Sequence, residues 1–115
     1  MHLITNNGTV NVNVSSYVLL TDAEQAFCGS SQGCTLTNLA RIAIISQNNE
    51  VGSCSGLNAY GILANHNINA TQGVCNSLGT SDASDQVRTY IELFNPKDSS
   101  PGAKSITIVY EAMAF

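Results

Sequence analysis

The amino-acid sequence predicts an all-β domain: an antiparallel β-sandwich or barrel of about five to eight short strands, stapled by two disulfides. Three observations lead there. Apolar and polar residues alternate with period two in several segments, Gly, Pro and Asn clusters separate those segments, and the chain holds an even number of cysteines, four. A length of 115 residues fits one domain spanning residues 1–115.

The first strand is expected within Thr9–Leu20, "TVNVNVSSYVLL", where Val10, Val12 and Val14 share one face and Asn11 and Asn13 the other. Thr21-Asp22 followed by Ala-Glu-Gln-Ala-Phe reads as a cap on a single helical turn before Cys28. "LTNLARIAIIS", Leu36–Ser46, fits a helix by the spacing of Leu36, Leu39, Ala40 and Ala43. The β-branched Ile42, Ile44 and Ile45 decide for a strand. From Gly56 to Gly73 the chain is broken by Gly and Asn into short extended pieces around Ile62-Leu63 and Ile68, and Leu78–Gln86 reads as a polar loop.

"VRTYIELF" sets Val87, Thr89, Ile91 and Leu93 against Arg88, Tyr90, Glu92 and Phe94. "SITIVYEAMAF" sets Ile106, Ile108, Tyr110 and Ala112 against Thr107, Val109, Glu111 and Met113. Between them "NPKDSSPG" carries both prolines, so these two strands are expected to pair as a hairpin.

Only 10% of the residues are Asp, Glu, Lys or Arg, against roughly a quarter in an average soluble domain. Asn, Ser, Thr and Gly take their place, a composition suited to secreted or surface-exposed proteins. The four basic residues, Arg41, Arg88, Lys97 and Lys104, are scattered and the net charge is −4, which argues against nucleic acid and anionic membranes as partners. No apolar run approaches the roughly 20 residues needed to span a bilayer, so no membrane insertion is expected. Met1–Val14 lacks the basic and apolar regions of a signal peptide, and the expectation is a mature domain whose leader has been removed.

Cys28, Cys34, Cys54 and Cys75 read as two disulfides in an oxidising, extracellular or periplasmic compartment. Their spacing has no zinc-knuckle pair, and no metal or cofactor is expected. Of the three pairings open to four cysteines, the preferred one joins Cys28 to Cys34 and Cys54 to Cys75. The short loop it closes, Gly29, Ser30, Ser31, Gln32 and Gly33, is a candidate binding loop.

Cys54 sits in Gly-Ser-Cys-Ser-Gly, residues 52–56, which resembles a nucleophile elbow with cysteine as nucleophile and His66 as the internal base. The Asn- and Gly-rich stretch that follows is a poor helix, so the elbow lacks its supporting fold and a disulfide is the preferred reading. Asp82 and Asp85 are too few for a calcium loop and read as solvated, as does His66 between two asparagines. The sequons at Asn7, Asn13 and Asn69 are no more than this Asn-, Ser- and Thr-rich composition generates by chance.

No motif names a family; the low charge and Asn/Ser/Thr richness resemble, in composition alone, bacterial pilus and surface subunits. The leading expectation is a non-enzymatic, extracytoplasmic binding or assembly module with a protein partner or self-association. The alternative is a small secreted inhibitor or ligand-binding protein presenting the disulfide-pinned loop; carbohydrate is a candidate ligand, given the tyrosines and asparagines. A thiol-dependent hydrolase using Cys54 comes third.

Overall fold

The computed structural model describes residues 1–19, 41–65, 68–94 and 105–114. Among them there is no helix, and every strand pairing is antiparallel. The described residues form nine strands: β1 His2–Thr5, β2 Val12–Val18, β3 Arg41–Asn48, β4 Cys54–Leu57, β5 Tyr60–Asn65, β6 Ile68–Asn69, β7 Gln72–Leu78, β8 Gln86–Phe94 and β9 Ile108–Ala114. They build a five-stranded sheet ordered β1-β8-β3-β5-β6 and a four-stranded sheet ordered β4-β7-β2-β9. The architecture is a sandwich.

The core lies between the sheets and draws on both. Ile42, Ile44, Leu63 and Val87 come from the five-stranded sheet, and Val14, Val74, Cys75 and Leu78 from the four-stranded one; all are buried. β8 begins with the expected alternation, Val87 and Thr89 turned inward, while the central β3 buries Ile42, Ala43 and Ile44 in succession. On β2 the inward face is Val14, Ser16 and Val18, whereas Val10 precedes the strand and is exposed. In β5, Leu63 and Ala64 are both buried because a bulge falls between the β3 pairs of Ile42 and Ala43.

The expected β8–β9 hairpin does not form. β8 already has a neighbour on each side, β1 and β3, so it has no open edge, and β9 pairs instead with β2 in the other sheet. The pairing runs without interruption from Val12↔Ala114 to Val18↔Ile108. The proposed helical turn after Thr21 lies outside the described residues.

A polar layer crosses the core. Ser16 faces Gln72 and Tyr110 in one sheet, and Thr89 faces His2 and Ser46 in the other, two rows of three side chains on the inner surfaces. Tyr110 spans the gap, its hydroxyl 2.8 Å from Thr89 Oγ1 and 2.7 Å from His2 Nδ1, while Gln72 Nε2 donates to the Ile62 carbonyl at 3.0 Å. Such directional bonds fix how one sheet sits on the other, which apolar contacts alone specify weakly. Burial pushes the Tyr110 phenol above its ordinary value, and the Thr89 hydrogen bond opposes that shift.

Two hydroxyls in this layer, Ser16 Oγ and Ser46 Oγ, are buried without a hydrogen-bond partner. An unsatisfied buried hydroxyl costs about 1–3 kcal/mol. Ser16→Ala and Ser46→Ala are therefore each expected to raise the free energy of unfolding by about 1 kcal/mol in denaturant titrations. A loss of stability in both would mean the hydroxyls are satisfied in solution.

Candidate functional site

Cys54 is bonded to Cys75, with their Cα atoms 5.8 Å apart and both residues in the buried core. The bridge ties β4 to β7 and leaves no thiolate at position 54. The glycines around it have a backbone explanation: Gly52 and Gly56 adopt φ of 75° and 79°, a left-handed conformation that L side chains rarely take. At Gly56 a Cβ would also stand 2.6 Å from Asn76 Nδ2. What resembles an elbow is a turn and a kinked edge strand leading into and out of a staple. Cys28, Cys34, the loop Gly29–Gly33 and His66 lie outside the described residues.

Asp85 lies beside an acidic partner, Glu50, whose Oε2 accepts the Asp85 N–H at 2.9 Å, and Asp82 adds a second negative charge near Asp85. Among the described residues no group of three His, Cys, Asp or Glu side chains is placed to hold a metal ion. Burial of Asp85 and the negative charges of Glu50 and Asp82 raise its carboxyl above the ordinary aspartate value. The folded state thus holds this proton more tightly than the unfolded chain. The resulting stabilisation is full below the ordinary aspartate pKa and is lost as pH rises through the raised folded value. The melting-temperature difference between Asp85→Asn and wild type should accordingly be more favourable to the variant at pH 7 than at pH 4; an equal difference at both would contradict the shift.

Two surfaces remain. The first is the outer face of the five-stranded sheet, where the pairings Tyr60↔Ile45↔Tyr90 and Arg41↔Phe94 place three aromatic rings on one side. Arg41 Nη2 donates to Glu92 Oε1 at 3.1 Å, and Tyr60 Oη donates to the same oxygen at 3.1 Å. The Arg41 guanidinium stands 5.4 Å from the Phe94 ring centre. Tyr60 and Phe94 are each 44% exposed. A chain of three polar side chains, Arg41, Glu92 and Tyr60, therefore runs across β3, β8 and β5 with Phe94 against its Arg41 end, half open to solvent.

The second is the outer edge of β9. Sheet edges in natural proteins are normally short, bulged, or guarded by Lys or Pro. Three edges here are short: β1 and β4 have four residues each and β6 has two. β9 has seven, with no Lys, no Pro and one charged residue, Glu111. No described strand pairs with its outer side. Residues Glu111 to Ala114 are all exposed, Met113 at 73%. The alternation of "IVYEAMA" was legible in the sequence, but its place at an edge was not, because that depends on which strand it joins.

The structure also holds a cleft of about 130 Å³ beside Tyr17, Val18, Asn69, Ala70 and Thr71. It is well below the roughly 300–1,000 Å³ of sites that enclose a small molecule. The chain matches no family model, no curated protein and no solved structure.

Proposed function

We propose that this protein is a non-enzymatic binding or assembly module of an oxidising, extracytoplasmic compartment, acting by strand addition at β9. The observation that supports this is the seven-residue edge with an exposed C-terminal half and none of the usual guards. A chain with 10% charged residues has little else to keep such an edge apart from other strands. The buried Cys54–Cys75 bridge is compatible with an oxidising setting, and we take Cys28–Cys34 as the second bridge.

The test is amide hydrogen exchange on β9, comparing protein in the state isolated from its native source with the dilute isolated chain. Strand addition predicts slower exchange for the outward-facing amides in the native state. Equal exchange in both would remove the reading.

A second reading rests on the outer sheet face: Tyr60, Tyr90 and Phe94 offer ring faces to a sugar, with the Arg41–Glu92 pair as hydrogen-bonding groups beside them. Titration with a panel of oligosaccharides, followed by shifts of the tyrosine ring signals and their loss in Tyr60→Ala, decides it. No shift with any member would dismiss carbohydrate.

A further inference from the structure

Which backbone groups of β9 face outward follows from one bond. The Leu19 N–H donates to the Thr107 carbonyl at 3.0 Å, and Thr107 continues the β2–β9 register by one residue beyond Val18↔Ile108. In an antiparallel ladder, bonded and non-bonded pairs alternate. Val109, Glu111 and Met113 therefore direct their N–H and C=O groups to β2. Ile108, Tyr110, Ala112 and Ala114 direct theirs to the side on which no described strand lies, and of these Ala112 and Ala114 belong to the exposed half of the strand.

We propose that the strand filling this edge is β9 of a second copy of this chain, antiparallel to the first about a two-fold axis at Ala112. The inference rests on the reading of β9 as the assembly edge and names its occupant. A slip of one residue would turn each inner face outward, so only every second register is allowed. One of these sets Glu111 against the partner's Glu111, placing like charges directly opposite, which is destabilising. A register centred on Tyr110 draws on the half-covered part of the strand. Centred on Ala112, the pairing uses the exposed part, with Glu111 opposite the partner's Met113 and Tyr110 opposite the partner's Ala114.

In that register the single charge of β9 meets a long, exposed apolar side chain in place of its own copy, and the small Ala114 leaves room beside the tyrosine ring. The contact is isologous, so it closes at two copies and joins two four-stranded sheets into one of eight. So small an interface belongs to the weak, transient class.

The experiment is sedimentation equilibrium of the full chain over a wide concentration range, for wild type and Ala112→Pro. Proline removes an outward N–H without touching the β2 ladder and is tolerated on edge strands. The expected result is a monomer–dimer equilibrium for wild type, weakened by about tenfold or more in the variant, with the melting temperature nearly unchanged. As a second arm, Ala112→Cys should form a disulfide-linked dimer under mild oxidation, whereas Val109→Cys should not; this arm decides if the proline variant fails to fold. A wild type that stays monomeric, a proline variant that dimerises as well as wild type, or cross-linking at position 109 and not 112 would each overturn the proposal. Protection of β9 in native material combined with a monomeric isolated chain would assign the edge to a foreign strand, sinking the second copy while leaving the strand-addition reading in place.

Discussion

Deleting residues 105–115 is expected to leave a chain that does not fold. β9 pairs with β2 along all of its seven residues, and β2 would become an edge with its core-facing Val14, Ser16 and Val18 uncovered on that side. Ile106, Ile108 and Tyr110 pack on the core, half-buried, so each contributes roughly half of the 1.5–3 kcal/mol of a fully buried large side chain. The Tyr110 link to Thr89 and the lost ladder bonds add to this. The sum is comparable with the whole stability of a small domain, about 5–15 kcal/mol. Circular dichroism and a thermal scan of the truncated chain check it; a cooperative transition near the wild-type temperature would show that β9 is not integral to the domain.

Point substitutions sharpen the same expectation. Ile108→Asp places a carboxylate against the core and should cost about 2–3 kcal/mol. Thr107→Asp, exposed and one residue away, should stay within about 0.5 kcal/mol of wild type. Equal effects would contradict the alternation. The contrast with Ala112→Pro is informative as well: on the proposed reading, substitution of an outward backbone group of β9 weakens association, whereas substitution of an inward side chain weakens the fold.

The second large effect belongs to the Cys54–Cys75 bridge. Its cysteines are 21 residues apart, and closing a loop of that length lowers the entropy of the unfolded chain by an amount equivalent to about 3 kcal/mol. The double variant Cys54→Ala/Cys75→Ala should therefore melt roughly 10–20 °C below wild type. Its melting should also become insensitive to a reductant that acts only on this bridge. An unchanged midpoint would mean that the β4–β7 pairing and the core contacts hold the loop without the bond. The expected loss gives the compartment a physical meaning, since in a reducing environment this stabilisation would be absent.

The alternating segments were readable because a half-buried strand imposes period two on its own residues. "VRTYIELF" buries Val87 and Thr89 and packs Ile91 on the core but leaves Leu93 exposed, "SITIVYEAMAF" packs Ile106, Ile108 and Tyr110 on the core but leaves Ala112 exposed, and the isoleucines of "RIAIIS" form the central β3. β1, β4 and β7 escaped notice. β7 is offset by bulges against β2, so Val74 and Cys75 are both buried in succession and the period is broken. β1 lies in an Asn-rich stretch, and β4 overlaps the Gly-Ser-Cys-Ser-Gly motif, whose glycines break the strand pattern. The asparagines, expected to solvate the surface, in part satisfy buried backbone: Asn6 Nδ2 donates to the carbonyls of Val10 and Leu78, and Asn48 Oδ1 accepts from Cys54 N–H and Ser53 Oγ.

Strand content and the preference of Cys54 for a staple over a catalyst were thus properties of the sequence by itself, since each depends on local periodicity or composition. The partner of β9, its place at the end of its sheet among the described strands, and the polar layer joining His2, Thr89 and Tyr110 were decided only by the tertiary structure. Each depends on contacts between residues far apart in the chain: Tyr110 meets His2 across 108 positions, and period two shows which face a side chain takes but not which strand lies beside it.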